Sequence, residues 1–336
     1  MKKIFFVIFS MFYLLFVSLL FYGQERPLNS IPPVSTYSIV AYDPATGELG
    51  VAVQSHWFSV GPIVPWVEAG VGAVATQSFA EVSYGPLGLE LMKAGKSPEE
   101  ALKALVSADK REDVRQVAMV DAKGRIAVHT GKNCIPEAGH YTGKGFSCQA
   151  NLMLKNTVWE AMAKAFENTK GELVDRLMTA LEAAEAEGGD IRGKQSAAIV
   201  VVKGKPSGLW YKDRLYDLRV EDHPYPLPEL RRLINLSKAY SHMDKGDVFL
   251  TQNNIKSAME EYKKAMEMYP ENLEMAFWPA VTMANLGKIQ EALPLFKYVF
   301  EKDSNWVILV KRLPGCGQLP DDPEIMKKIL SAAPKK

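Results

Sequence analysis

Two β-rich runs, Thr36-Tyr-Ser-Ile-Val-Ala-Tyr42 and Gly50-Val-Ala-Val-Gln-Ser55, are joined through Asp43-Pro-Ala-Thr-Gly47, and this constrains the chain more than any other feature. A Pro and a Gly in so short a connection make a turn, so the two runs read as a hairpin. The device recurs where Val114–Val120 and Arg125–His129 flank Asp121-Ala-Lys-Gly124. Further strand-like runs cover Ile63–Glu68, Val71–Thr76 and Gly145–Asn151. Ser196–Val202 is continuously apolar, as expected of a strand buried on both faces.

Helical patterns fall between the strands, over Leu87–Ala94, after Ser97-Pro-Glu-Glu100, and over Thr157–Glu167 and Glu172–Glu187. Ser97 with Glu100 is a capping box, and Pro98 suits the first helical turn. The order is strands, two helices, strands, two helices, strands, with hairpins in place of βαβ units. That segregation predicts an α+β fold of two packed antiparallel sheets with helices outside.

Beyond Leu227 the strand signals stop and a repeat begins. Ala258 and Tyr262 recur as Ala292 and Phe296, a spacing of 34 residues, which is the tetratricopeptide period. Gly246, Phe249, Ala265 and Pro270 fill further positions of the first unit; in the second, Pro279 falls inside the first helix. The expected organisation is a sandwich domain over 36–236, two tetratricopeptide-like repeats over 239–306, and a C-terminal helix and tail over 307–336. Two repeats bury little alone, so they are expected to lean on the first domain or the terminal helix, and to offer a docking face for a protein partner.

At the other end, Met1-Lys-Lys3 precedes Ile4–Tyr22, which has no charged residue, and Gly23 follows. This reads as an export signal over 1–23, with a retained anchor as the rival because Phe21 stands where a small residue suits cleavage. Both place the globular part outside the cytoplasm, periplasmic or extracellular, with membrane attachment through residues 4–22 only. Residues 24–35, carrying Pro27, Pro32 and Pro33, read as an extended leader rather than a packed element.

Composition removes other classes. A net charge of +1 without a basic block argues against nucleic acid. Three cysteines without a CxxC spacing argue against metal ribbons and thioredoxin chemistry. His129, Cys134, His140 and Cys148 match no ordinary ligand spacing, so no metal is expected, and no cofactor either. Cys134 and Cys148 bracket a loop and read as two buried thiols or, in an exported protein, a disulfide, with Cys316 free. Gly188-Gly-Asp-Ile-Arg-Gly-Lys-Gln195 nearly matches a phosphate loop, but Gln195 replaces the hydroxyl and the order is helix, loop, strand.

Four separated segments, Thr36–Ser55, Gly70–Gln77, Ser83-Tyr-Gly-Pro-Leu-Gly88 and Gly188–Ala197, together resemble the domain of unknown function 1028 family over about Thr36 to Leu236. The resemblance implies a four-layer αββα sandwich of the N-terminal nucleophile (Ntn) hydrolase type. It also implies hydrolysis of a C–N (amide) bond in a small or peptide-like substrate, with Thr36 as nucleophile. In that class the residue's own α-amine, with a pKa near ~8, takes the hydroxyl proton. Such an amine requires a cut between Ser35 and Thr36. No lysine lies between Thr36 and Lys93, where several such hydrolases place one, so charge support has to come from elsewhere.

The candidates are Thr36, Ser55, Gln77 and Asn151 as catalytic residues, with His56, Ser78, Gln149, Asp190, Arg192 and Gln195 as substrate-binding residues. Amide side chains can donate to a developing oxyanion without carrying charge. Asp190 and Arg192 are expected to be mostly solvated on their glycine-rich loop and to hold charged substrate groups. The rival is an inactive sandwich that binds a ligand or peptide, in which Thr36 merely starts a strand, Asp190 and Arg192 brace the loop, and the amides satisfy buried backbone groups.

Overall fold

The computed structural model describes residues 34 and 36–334; the predicted signal or anchor and most of the predicted leader lie outside them. The chain divides into two compact units between Pro226 and Leu227. Residues 236–239 lie inside one helix, Pro226–Thr251, so the expected boundary falls within an element.

In the first unit the described strands form two antiparallel sheets. The six-stranded sheet has the order β10 (Arg214–Val220), β9 (Ser196–Val202), β2 (Leu49–Ser55), β1 (Thr36–Tyr42), β8 (Phe146–Ala150), β7 (Gly139–Gly143). The four-stranded sheet has the order β3 (Pro65–Glu68), β4 (Gly72–Ser78), β5 (Arg115–Asp121), β6 (Ile126–Thr130). Helices α1 (Tyr84–Lys93) and α2 (Pro98–Ala108) cover the smaller sheet, and α3 (Val158–Asn168) and α4 (Leu173–Glu187) cover the larger. The sheets face each other, giving the expected αββα sandwich.

Strand alternation decides which residues meet in the middle. Val40, Val51, Val53, Ala118, Val120 and Ala198 join one buried cluster between the sheets. Val117 and Met119, in the opposite phase of β5, pack with Leu89, Met92 and Leu102 of the covering helices. Burying each such side chain contributes about 1.5–3 kcal/mol, and the register is fixed because a one-residue slip would drive the helix-facing Val117 and Met119 set into the layer shaped for Ala118 and Val120. Gly50 lets α4 approach: a Cβ there would lie 2.6 Å from Leu177 Cδ1.

The turns are built as their residues require. Asp43 Oδ1 accepts from Ala45 N at 2.9 Å, and Gly47 takes φ +76°. The capping box is complete, with Ser97 Oγ accepting from Glu100 N and Glu100 Oε2 accepting from Ser97 N. The cysteines are free: the Cys134 thiol donates to Arg115 O at 3.4 Å, and Cys148 sits inside β8, so the disulfide alternative is set aside.

Strands β7 and β10 and the short helix α5 (Trp210–Asp213) are additions to the sequence reading. So is the packing of Val34, which is 6% exposed and forms an antiparallel bridge with Ser78 although it belongs to the supposed leader.

The second unit contains α6 (Pro226–Thr251), α7 (Ile255–Met268), α8 (Glu274–Asn285), α9 (Ile289–Lys302), α10 (Asn305–Val310) and α11 (Pro323–Leu330). Ala258, Tyr262 and Ala265 are buried, as are Ala292, Phe296 and Val299. A Cβ at Gly246 would meet the Tyr262 ring at 2.4 Å, so the small residue permits close helix approach. Among the described residues no helix is long and apolar enough to cross a membrane.

Candidate functional site

Thr36 opens β1 and is fully buried. Its register partner on β2 is Ser55, whose partner on β9 is Ser196, so three hydroxyl residues form a row at one end of the larger sheet. Asn151, just past β8, extends the row because its N–H donates to Thr36 O at 3.1 Å. Thr36 Oγ1 donates to Val34 O at 2.7 Å and is hydrogen-bonded with Ser55 Oγ at 3.1 Å.

Behind this row lies a buried network of amides between the sheets. Gln77 Nε2 reaches Thr36 O at 3.2 Å, Gln116 Oε1 at 2.7 Å and Gln149 O at 3.3 Å. Ser38 Oγ donates to Gln77 Oε1 at 2.6 Å and accepts from Gln149 Nε2 at 2.6 Å. Asn151 Nδ2 donates to Gln116 Oε1 at 2.9 Å. Gln116 Nε2 reaches Ala150 O at 2.9 Å and Thr130 Oγ1 at 3.0 Å, and that hydroxyl is bonded to His140 Nδ1 at 2.9 Å. Thr36, Ser55, Gln77, Ser78, Gln149 and Asn151 are thus brought together.

The amide donors of Gln77 and Gln149 are spent inside this network, so they fix the position of Thr36 O and its strand. The N–H that meets the same acceptor as the Thr36 hydroxyl is a backbone one: Ser78 N donates to Val34 O at 3.0 Å. Ser78 holds φ +70°, a left-handed conformation unusual for a side-chain-bearing residue.

Asp190, Arg192 and His56 form a separate group. Asp190 Oδ2 accepts from His56 N at 3.2 Å and Arg192 Nη2 at 2.8 Å, and its Oδ1 accepts from Arg192 N at 2.9 Å and Arg192 Nε at 3.1 Å. The carboxylate is buried rather than solvated, and it ties the glycine-rich loop to the end of β2. Gln195 N donates to Ser55 O at 3.1 Å while its side-chain amide turns to Asp222 Oδ1, also at 3.1 Å.

Sequence reasoning missed Gln116, Ser38 and Val34. Gln116 and Ser38 had a readable signal: each is a polar residue in the inward phase of a strand, in step with Ala118 and Val120 or with Val40. Among the described residues no group of three or more His, Cys, Asp or Glu side chains is placed to hold a metal ion. A cavity of about 510 Å³ lined by Val67, Lys93, Val202, Trp210 and Arg214 lies at the opposite end of β9 from Ser196.

Residues 36–230 match the model of a family described as "Family of unknown function (DUF1028)". A crystal structure of protein SPO2555 from Silicibacter pomeroyi, also a DUF1028 protein, is similar at 30% identity and TM-score 0.53, over 60% of this chain and 88% of that one. Anbu, the ancestral β-subunit from Yersinia bercovieri, aligns at 11% identity and TM-score 0.27, over 59% of this chain and 92% of that one. No curated protein matches.

Proposed function

The chain belongs to the DUF1028 family, a family of unknown function, and from that premise we propose that its sandwich domain hydrolyses a C–N (amide) bond with Thr36 as nucleophile. The observation that carries the reading is the placement of Thr36 at the head of β1 in an αββα sandwich. There its hydroxyl touches Ser55 Oγ and a backbone carbonyl at 2.7 Å. A hydroxyl in that position needs a base, and the α-amine of Thr36 supplies one once residue 35 is removed.

Attack forms the Thr36 Oγ–C bond and moves the carbonyl π pair onto oxygen. Collapse breaks the C–N bond, and the amine leaves with the hydroxyl proton. Water then cleaves the ester, releasing the acid and restoring Thr36. Ser55 is the neighbouring hydroxyl that orients the nucleophile, and the Gln77, Gln116, Gln149 and Asn151 network holds the strand end rigid without adding charge. His56, Asp190, Arg192 and Gln195 shape the adjoining loop. The apolar Ile4–Tyr22 segment supports action outside the cytoplasm, and the helical unit supports a protein-docking role.

The test is hydrolysis of an amide panel by chains of defined N-terminus. Activity is expected only when Thr36 is the first residue, is abolished by Thr36→Ala and is partly kept by Thr36→Ser. Full activity of Thr36→Ala, or of a chain that still carries its leader, refutes the reading. A binding protein is the second reading, favoured by the full burial of Thr36 and the engagement of its hydroxyl by Val34.

A further inference from the structure

Val34 makes more of the site than a linker residue needs to. Its carbonyl accepts from Thr36 Oγ1 at 2.7 Å and from Ser78 N at 3.0 Å, and its own N–H donates to Ser78 O at 2.6 Å. Its side chain belongs to the buried inter-sheet cluster that includes Val60 and Val64. The backbone groups of Ser78 are open to it for a topological reason. Strand β3 pairs with β4 only as far as Ala75, and Thr76 N then bonds Val64 O at 3.2 Å. Ser78 lies beyond that cover, so this side of β4 ends in a free N–H and C=O, which Val34 takes.

We infer that Val34 holds the place of the substrate: the scissile carbonyl sits at the Val34 oxygen, between the Thr36 hydroxyl and the Ser78 N–H, in an extended peptide-like acyl chain with a branched aliphatic side chain. The inference rests on the hydrolase reading and adds to it the oxyanion donor, the binding mode and the acyl-side specificity. The Val34 carbonyl oxygen lies 2.7 Å from Thr36 Oγ1 and 3.0 Å from Ser78 N, so a substrate oxygen seated there is held by the oxyanion donor with its carbon one bond away, beside the hydroxyl. Pairing through both backbone groups of Ser78 is strand addition to a sheet edge, which gives affinity for any extended acyl-peptide. The apolar surroundings select among them, because a charged side chain would be desolvated without a partner. Strand phase aims the Ser78 N–H at that point, as it aims Thr76 N at Val64 O, and Ser78 is left-handed; residues held in such sparsely populated conformations cluster at functional sites. Asn151, bonded to Thr36 O through its N–H, keeps a buried Oδ1 without a partner, an acceptor for the substrate's amide or the freed Thr36 amine. During attack the negative charge forms on the oxygen held by Ser78 N–H, and the remaining bond changes are those given above. In an uncut chain Val34 and the substrate's acyl residue compete for one place.

The probes are acetyl-Ile-Pro-Pro-valinol, which copies the sequence of residues 31–34, its lysinol analogue, and the valinal aldehyde, which can add a hydroxyl. Binding is measured by calorimetry to the full uncut chain and to its Val34→Asp variant, whose carboxylate cannot stay in the apolar position. If Val34→Asp loses the near-ultraviolet circular dichroism of the parent, Val34→Gly replaces it. The valinol peptide is expected to bind the variant at least about tenfold more tightly than the parent, where a tethered competitor is present, and the lysinol peptide to lose that binding. Equal binding to both chains, or lysinol binding as tight as valinol binding, overturns the inference. The aldehyde, measured on chains that start at Thr36 and so carry its free amine, separates the two readings. Its gain over the alcohol should vanish in Thr36→Ala of that chain; valinol binding with no aldehyde gain leaves the groove standing and removes the nucleophile.

Discussion

Gln77 Nε2 donates to Gln116 Oε1 at 2.7 Å, a bond between two residues that are also register partners on β4 and β5. From that pair hydrogen bonds run to Thr36 O, Asn151, Ala150 O and Thr130, so Gln116 is the hub through which both sheets are tied beneath Thr36. Gln116→Met keeps the volume but leaves several buried donors and acceptors unpaired, each worth about 1–3 kcal/mol if not re-satisfied. We expect a loss of about 2–4 kcal/mol, read as a lower urea midpoint at unchanged m-value. A midpoint within error of the parent contradicts the hub.

Asp190 behaves as a structural carboxylate. Its side chain is 0% exposed and serves His56 N as well as Arg192. Asp190→Ala should cost about 1–3 kcal/mol and loosen the loop against β2, detected as faster amide exchange over 188–195. Arg192→Ala, removing the more exposed partner, should cost less, because the backbone bonds from His56 and Arg192 to Asp190 survive. Equal losses in the two variants contradict this.

The pH dependence of stability follows from buried groups that resist ionisation. Burial pushes the Cys148 thiol and the Tyr37 phenol well above their ordinary values, with Glu167 and Glu185 respectively adding repulsion. Burial also raises the Cys134 thiol. The unfolded chain releases these protons near ~8.5 for Cys and ~10 for Tyr while the folded chain retains them, so their stabilisation is complete at neutral pH and lost as pH rises past those values. His140 has the opposite sense. Burial, then the His129 charge, lowers its pKa, so its contribution is complete above about pH 6.5 and lost as pH falls. Urea midpoints should fall above about pH 9, and less steeply in Cys148→Ala. A profile flat to about pH 10.5 in the parent contradicts the assignment.

The Ser97 capping box is exposed and local, so its effect should be small and isolated. Ser97→Ala removes the acceptor for Glu100 N and should cost about 1 kcal/mol without touching the interior. Scanning calorimetry reads this as a shift of a few degrees, and no shift at all would mean that water replaces the cap fully.

Most of the sandwich was legible because its strands are runs of β-forming residues buried on both faces, apolar throughout over Ala197–Val202, and because turns such as Asp43–Gly47 carry their own geometry. Strand β7 escaped because Gly139-His-Tyr-Thr-Gly143 is partly exposed and bounded by glycines. Strand β10 escaped because Arg214, Asp217 and Arg219 interrupt its pattern at the sheet edge. At the site, hydroxyls and amides at strand ends were visible as types, but their division of labour was not. That division depends on which donors are already spent between the sheets, a property of two strands at once. The packing of Val34 was hidden for the same reason, since it depends on β3 ending before Ser78 does.

The most direct test of the central claim is intact-mass analysis of the protein after exposure to an acylating β-lactone, which reads the N-terminus and the nucleophile together. We expect one adduct, on the peptide that begins with Thr36, formed only in chains that start there and absent from Thr36→Ala. An adduct of equal yield in Thr36→Ala, or one carried by a residue other than Thr36, would contradict the account.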